Sequence, residues 1–226
     1  MEAEIAKTVN KELRKQARES LSGRWWLAVS TLIIFFIITA GIGLISRLGT
    51  IVSLLISGAM SVGLCYFTLA IARSDNPRLA LIFYGFKKIL PSLGAYILMA
   101  IFIILWALIG IIPGIIGFAV IASTHYIILG KLLIALAVIC LIPAAIAAIS
   151  YSQTYFIIAD NEIGPFKAIC KSIGIIKGSK WKFFWLNISF IWWIILSAIT
   201  LGIGFLWIAP YMAVTMAKFY DDIKAR

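Results

Sequence analysis

Apolar residues along this chain come in long unbroken blocks, not at the alternating positions of strands or in the single stripe of a soluble helix. Six blocks can be cut, at about 26–46, 51–72, 92–112, 132–158, 183–201 and 203–219. A hydrocarbon core of about 30 Å takes roughly 20 helical residues to cross, so each block predicts a membrane-spanning helix. Alternating segments of ~10 residues, the mark of a membrane barrel, are absent, and helices are the other way to satisfy a backbone in lipid. The third block has the least distinct end. Apolar character runs past Ile112 almost to Lys131, interrupted by Pro113 and Gly114. Because Ser123, Thr124 and His125 follow, 113–131 is expected to be an outer-side connection, partly helical or re-entrant.

The polar stretches between blocks have their own pattern. Val9, Leu13, Ala17 and Leu21 stand four apart among lysines and arginines, which predicts a basic amphipathic helix on the inner membrane surface. SGRWWL (22–27) then turns it into the first span. Gly23 permits the bend, Arg24 meets headgroups, and Trp25 and Trp26 take the interface. About 155 residues later the order recurs. Phe166, Ile169, Ile173 and Ile176 mark one face, Lys167, Lys171 and Lys177 mark others, and GSKWKFF, with Lys180, Trp181 and Lys182, leads into the fifth block. NPRLALIFYGFKKILPSLGAY is a weaker copy without tryptophan, with Asn76 and Pro77 at the helix start and Pro91 and Gly94 at the bend. The even blocks end alike, in CYFTLAIARSDNP, SQTYFIIADNE and VTMAKFYDDIK, and the hairpin turns echo in AGIGLI, GIIPGI and LGIGFL. The expectation is an all-α integral membrane protein of one domain, 1–226. Its three tandem units, about 5–76, 77–162 and 163–226, would each be a surface helix followed by a two-span hairpin.

Composition agrees: 63% of residues are hydrophobic, 13% are charged, and mean hydropathy is +1.06. The net charge of +11 sharpens the topology. With both termini cytoplasmic, the cations of 7–24, 73–88, 167–182 and 218–226 lie inside and only Arg47 and Lys131 lie outside. That charge would also draw anionic lipid to the cytoplasmic face. No separate basic domain exists, so nucleic acid is not an expected partner. The first apolar block starts near residue 26 with no small-residue cleavage site, and is expected to stay as a span. Cys65, Cys140 and Cys170 are far apart with no CxxC, as packed thiols would be.

LWALIGIIPGII, SYSQTYFIIADNEI, KGSKWKFF and LSAITLGIGFLWIAPYMAVTMAKFY, in that order, resemble the bacterial membrane-protein family known as domain of unknown function 975. The likeness covers nearly the whole chain. Extra residues separate the IIPG turn from SYSQTYFIIADN relative to short members. The resemblance implies a cell-membrane location and no activity.

Polar side chains within apolar blocks are the first places to look for chemistry. Ser150, Gln153 and Thr154 share a helix face, and Tyr151 and Tyr155 form a neighbouring stripe. They would either line a cleft opening to the cytoplasm or bond between helices. Asn187, Ser189 and Ser197 carry the same two readings. Asp160, Asn161 and Glu162 follow the fourth block, Asp75 and Asn76 the second, and Asp221 and Asp222 the sixth. These inner-side groups would gather around a cation or basic partner, cap the next helix, or pair with a lysine. Pro113, Pro143 and Pro210 fit either broken transport helices or packing kinks. Ala59 with Gly63, Gly110 with Gly114, and Ala144 with Ala148 suit close helix contact. His125 is the single histidine, and HExxH, GxSxG and GxxxxGK are missing, so no catalytic residue, metal or cofactor is expected. The reading that follows is a carrier, exporter or protective factor that binds or moves a lipid or other hydrophobic molecule. The alternative is a structural or accessory subunit, with a protein partner or homo-oligomer docked on the basic helices.

Overall fold

The computed structural model describes residues 8–45, 47–123 and 126–225, and among them the chain is helical with no strand. The order is α1 (Asn10–Leu21), α2 (Trp25–Ile45), α3 (Arg47–Ala72), a 3-10 helix (Leu79–Lys88), α4 (Ile89–Ala122), α5 (Ile127–Tyr151), α6 (Thr154–Asp160), α7 (Pro165–Ile176), α8 (Lys180–Ile188), α9 (Ile191–Ile199) and α10 (Phe205–Lys224). Among the described residues three stretches are long and apolar enough to cross a membrane: Leu79–Ala122, Ile127–Asp160 and Lys180–Ile199. A fourth arises if α1 and the start of α2, bent by 95° from one another, count as one span. Ile56–Ala72 is a shorter apolar helix.

The connection expected over 113–131 is mostly helix. α4 continues through Pro113 to Ala122, and α5 starts at Ile127. Proline removes one backbone bond but does not stop a helix that a neighbour holds. Here α5 holds it closely: a Cβ on Gly110 would stand 2.9 Å from the Ala137 carbonyl oxygen, and one on Gly117 2.9 Å from that of Gly130. Thr124 and His125 lie outside the described residues, as do Lys7 and Arg226.

The two tryptophan-bearing copies share backbone geometry. The starts of α1 and α7, residues 10 and 165, and of α2 and α8, residues 25 and 180, have one offset of 155 residues. Each joint is a type II turn. Ser22 (φ −57°, ψ 129°) precedes Gly23 (φ 73°), and Arg24 N–H donates to the Leu21 carbonyl at 2.9 Å. Lys177 (φ −57°, ψ 126°) precedes Gly178 (φ 83°), and Ser179 N–H donates to the Ile176 carbonyl at 2.8 Å. Positive φ at the second turn position requires glycine in practice, which is why it recurs.

Each of the two amphipathic helices packs one face on protein. Leu13 packs with Phe190, Phe219 and Ile223, while Ala17 and Leu21 join the main core. In α7 the buried face is Ala168, Ile169, Ser172 and Ile176, and the expected face members Phe166 and Ile173 point outward. That helix has apolar residues on two sides, and the side through Ala168 and Ser172 is the one that packs on its neighbours. The third copy differs further. It is a 3-10 helix running straight into α4, so Pro91 and Gly94 mark no bend. Pro91 sits in the first turn of α4, where a missing N–H costs little.

The 3-10 helix lies backbone to backbone against α3. A Cβ on Gly63 would come within 1.7 Å of the Ile82 carbonyl oxygen, and one on Gly85 within 1.8 Å of the Ala59 carbonyl oxygen. Ala59 and Gly63 are thus a close-contact pair, with the 3-10 helix as the partner. α10 buries Val214 and Tyr220 in one cluster with Phe67, Ile71, Ile157 and Ile158 of α3 and α6, and Phe219 in another with Leu13 and Phe190. Gly63→Ala is expected to destabilise by about 3 kcal/mol or more through overpacking against backbone. Gly174→Ala, where nothing stands within 4 Å, should be neutral or stabilising by up to about 1 kcal/mol. Thermal unfolding of both variants in one detergent checks the contrast.

Candidate functional site

Helix ends that lose water must find partners for their last carbonyls. α3 and α6 end beside α10, and lysines from other elements serve them. Lys88 Nζ donates to the carbonyls of Ile158 (2.9 Å), Ala159 (3.3 Å) and Asn161 (3.1 Å) at the end of α6. Lys218 Nζ donates to the Ala72 carbonyl at the end of α3. Positive charge at a helix C-terminus also opposes the helix dipole.

Arg73, one residue beyond α3, joins all three helices. Its Nη1 donates to Asp160 Oδ1 at 2.8 Å, and its Nη2 and Nε donate to Asp221 Oδ1 and Oδ2 at 2.5 and 3.1 Å. The planar guanidinium suits such forked pairing. Hydrogen bonding to Asp221 first, and then to Asp160, pushes the Arg73 pKa above its already high ordinary value. Asp160 also accepts from Lys224 Nζ and, at 3.0 Å, from Tyr220 OH, whose ring stacks on Phe156 at 5.5 Å. Nearby, Lys182 and Asp222 pair at 2.5 Å with side chains only 12% and 13% exposed.

Two of the expected carboxylates therefore gather, around a cation the chain itself supplies. Asp75 lines a cavity of about 320 Å³ beside that network, with Tyr66, Arg73, Asn76, Leu81 and Asp160. Glu162 lines another of about 380 Å³ with Lys87, Lys88, Pro91 and Asn161. Capping of the following helices does not occur: Arg78 and Gly164 occupy those N-caps, without side-chain bonds. Asn161 turns back instead, donating to the Ile157 carbonyl at 3.0 Å, and accepts from Lys171 Nζ at 3.4 Å.

The polar stripe of the fourth block marks a break between α5 and α6. Ser150, Gln153 and Thr154 are all buried. Ser172 of α7 closes the gap: its hydroxyl donates to the Ser150 carbonyl at 2.7 Å and accepts the Gln153 N–H at 3.3 Å. Thr154 Oγ1 donates to the Tyr151 carbonyl at 2.8 Å, and Gln153 Nε2 to Ser152 Oγ at 2.9 Å. The side-chain bonds of Ser150, Gln153 and Thr154 are thus local, Ser150 Oγ donating to the Ile146 carbonyl at 2.7 Å, and it is the Ser172 hydroxyl that bonds across to the break. Asn187, Ser189 and Ser197 donate to carbonyls of their own helices.

Tyr151 and Tyr155 instead face a groove of about 340 Å³ where α4 and α5 part. Tyr96, Met99, Ala100 and Ile103 form one wall, and Ala148, Tyr151, Ser152 and Tyr155 form the other. The lining is mainly apolar, with phenol and hydroxyl groups from the break at one end. Sequence reasoning missed the α4 wall, although Tyr96 is a polar-tipped side chain early in that block. The interface residues divide as well. Trp26 is 80% and Trp181 68% exposed, the latter stacked on Phe184 at 5.4 Å. Arg24 and Lys180 are half-buried, Trp25 packs on the core, and Lys182 pairs with Asp222.

Residues 1–226 match the family described as "Protein of unknown function (DUF975)", and the chain belongs to that family. No curated protein and no solved structure matches it. Arg73→Ala is expected to cost about 2–3 kcal/mol of stability, because two carboxylates then face each other unpaired. Adding Asp160→Ala should cost less than the sum of the single effects, by about 1 kcal/mol. Ser172→Ala should cost about 1–2 kcal/mol by orphaning backbone groups in the break. Unfolding in detergent of the wild type, the three single variants and the double variant measures all three effects.

Proposed function

We propose that this member of the family is a six-span cell-membrane protein, with both termini cytoplasmic, that binds or moves a lipid or another hydrophobic molecule. The groove between α4 and α5 carries the reading. It is mostly apolar and edged by Tyr96, Tyr151 and Tyr155. An alkyl chain would gain by entering it, and the phenols would hold a polar end. Its placement at a helix break gives hydrogen-bonding groups in a region where lipid-facing helices offer few. The matched turns before α2 and α8 support descent of the architecture from repeated units of surface helix and hairpin.

The role is binding or transfer and not catalysis. Asp160 and Asp221 are engaged by Arg73, and Asp222 by Lys182, so these carboxylates hold helix ends together. Gln153, a ligand candidate from sequence, belongs to the supporting break and is only 1% exposed. Native mass spectrometry after gentle extraction is expected to find a defined lipid or small hydrophobic molecule at fixed stoichiometry. Ala148→Trp, which fills the groove from an exposed position, should lower occupancy about tenfold, equivalent to about 1.4 kcal/mol. A bare wild-type chain, or occupancy unaltered by Trp at this site, would remove the groove from consideration.

A further inference from the structure

The copies α1 and α7 bury equivalent positions: Leu13, Ala17 and Leu21 in one, Ala168, Ser172 and Ile176 in the other. Their outer faces are unlike. α1 exposes Lys11, Glu12, Lys15, Arg18 and Glu19, charges of both signs, with Lys15 and Glu19 at 3.9 Å. α7 exposes Phe166, Lys167, Cys170, Lys171, Ile173 and Lys177, apolar side chains interleaved with cations only. Phe166 is 60% and Ile173 40% exposed, so protein covers neither in full. Beyond the Gly178 turn the apolar surface continues in the Trp181, Phe184 and Trp185 cluster.

We propose that the outer face of α7 is a docking surface for the anionic leaflet, while the outer face of α1 stays in water. The inference rests on the membrane placement above and adds which surface meets the lipid. Phe166 and Ile173 would enter the boundary between headgroups and chains, roughly 5–10 Å deep. The lysine stems would lie along the same apolar surface with their ammonium groups at the phosphates. Tryptophans at the following turn hold the helix at that level. α1 has no exposed apolar side chain within its helix to insert, and its Glu12 and Glu19 would repel the leaflet.

The test uses the full chain with Cys65→Ala and Cys140→Ala, leaving Cys170 as the exposed thiol for a fluorophore. Two further proteins replace Cys170 with alanine and carry Lys15→Cys or Ile104→Cys, the last within the apolar stretch of α4. All are reconstituted in phosphatidylcholine vesicles with and without phosphatidylglycerol. A spin-labelled lipid is expected to quench the label at 170 several-fold more than at 15, with iodide giving the reverse order. Phosphatidylglycerol should increase lipid quenching at 170 alone. If 104 is quenched by lipid but 170 behaves like 15, the docking surface is wrong and the membrane placement stands. If 104 also escapes lipid, the placement itself falls. Shielding of 170 from both quenchers would mean that a protein or second copy covers α7, and no response to phosphatidylglycerol would exclude an anionic preference; either overturns the proposal.

Discussion

The fold depends on the pairing of one arginine with two aspartates from distant parts of the chain. Arg73 follows α3, Asp160 ends α6 and Asp221 lies in the last turns of α10. Each of these groups alone at a half-dry helix end would be costly to desolvate, and none has an apolar substitute that could hold the others in register. Together with Lys224 and Tyr220 they satisfy each other's charges and hydrogen bonds. α10 is thereby fixed between α3 and α6, and its ring Tyr220 is stacked on Phe156. The packing of α1 on α10 then follows, since Leu13 needs Phe219 and Ile223 in place.

A second constraint runs through the rest of the molecule: backbone groups away from water must be paired. Lys88 and Lys218 serve carbonyls at the ends of α6 and α3, and Ser172 serves a carbonyl and an amide in the break between α5 and α6. The break separates two surfaces of one apolar block. Its backbone is bonded by Ser172 of α7, and its tyrosines and Ser152 line the groove. A helix interrupted there can thus present phenols to the α4 wall without leaving open backbone. The groove and the inner charge network are linked through α6, seven residues long, which begins beside Tyr155 and ends at Asp160.

Much of this was legible in the chain. The apolar blocks located every long helix, and α1 and α7 lie where four-residue spacing put them. Glycine before tryptophan foretold turns that have the same φ and ψ. Less legible was what each face would touch. The amphipathic pattern of α1 is the same whether lipid or α10 covers Leu13, because either removes that side chain from water. In α7 the sequence offers Phe166 and Ile173 as readily as Ala168 and Ser172. Ala168 and Ser172 went inward with Ile169 and Ile176, and packing nearby is close, as at Gly94, where a Cβ would meet Pro165 at 2.8 Å. Pro113 read as an interruption, yet α5 supports the helix through it.

The sequence by itself determined that the chain is helical, membrane-like, internally repetitive in its turns, and rich in cations beside its apolar blocks. Those properties depend on neighbours within a few residues and on the length of a block. The tertiary structure decided that Arg73 would bind Asp160 and Asp221 across 87 and 148 residues of chain. It also decided that Lys88 and Lys218 would finish other helices, that Ser172 would close the break, and that Tyr96 would face Tyr151 and Tyr155 across a groove. Such contacts depend on where separate helices end in space, and no local period or composition records that.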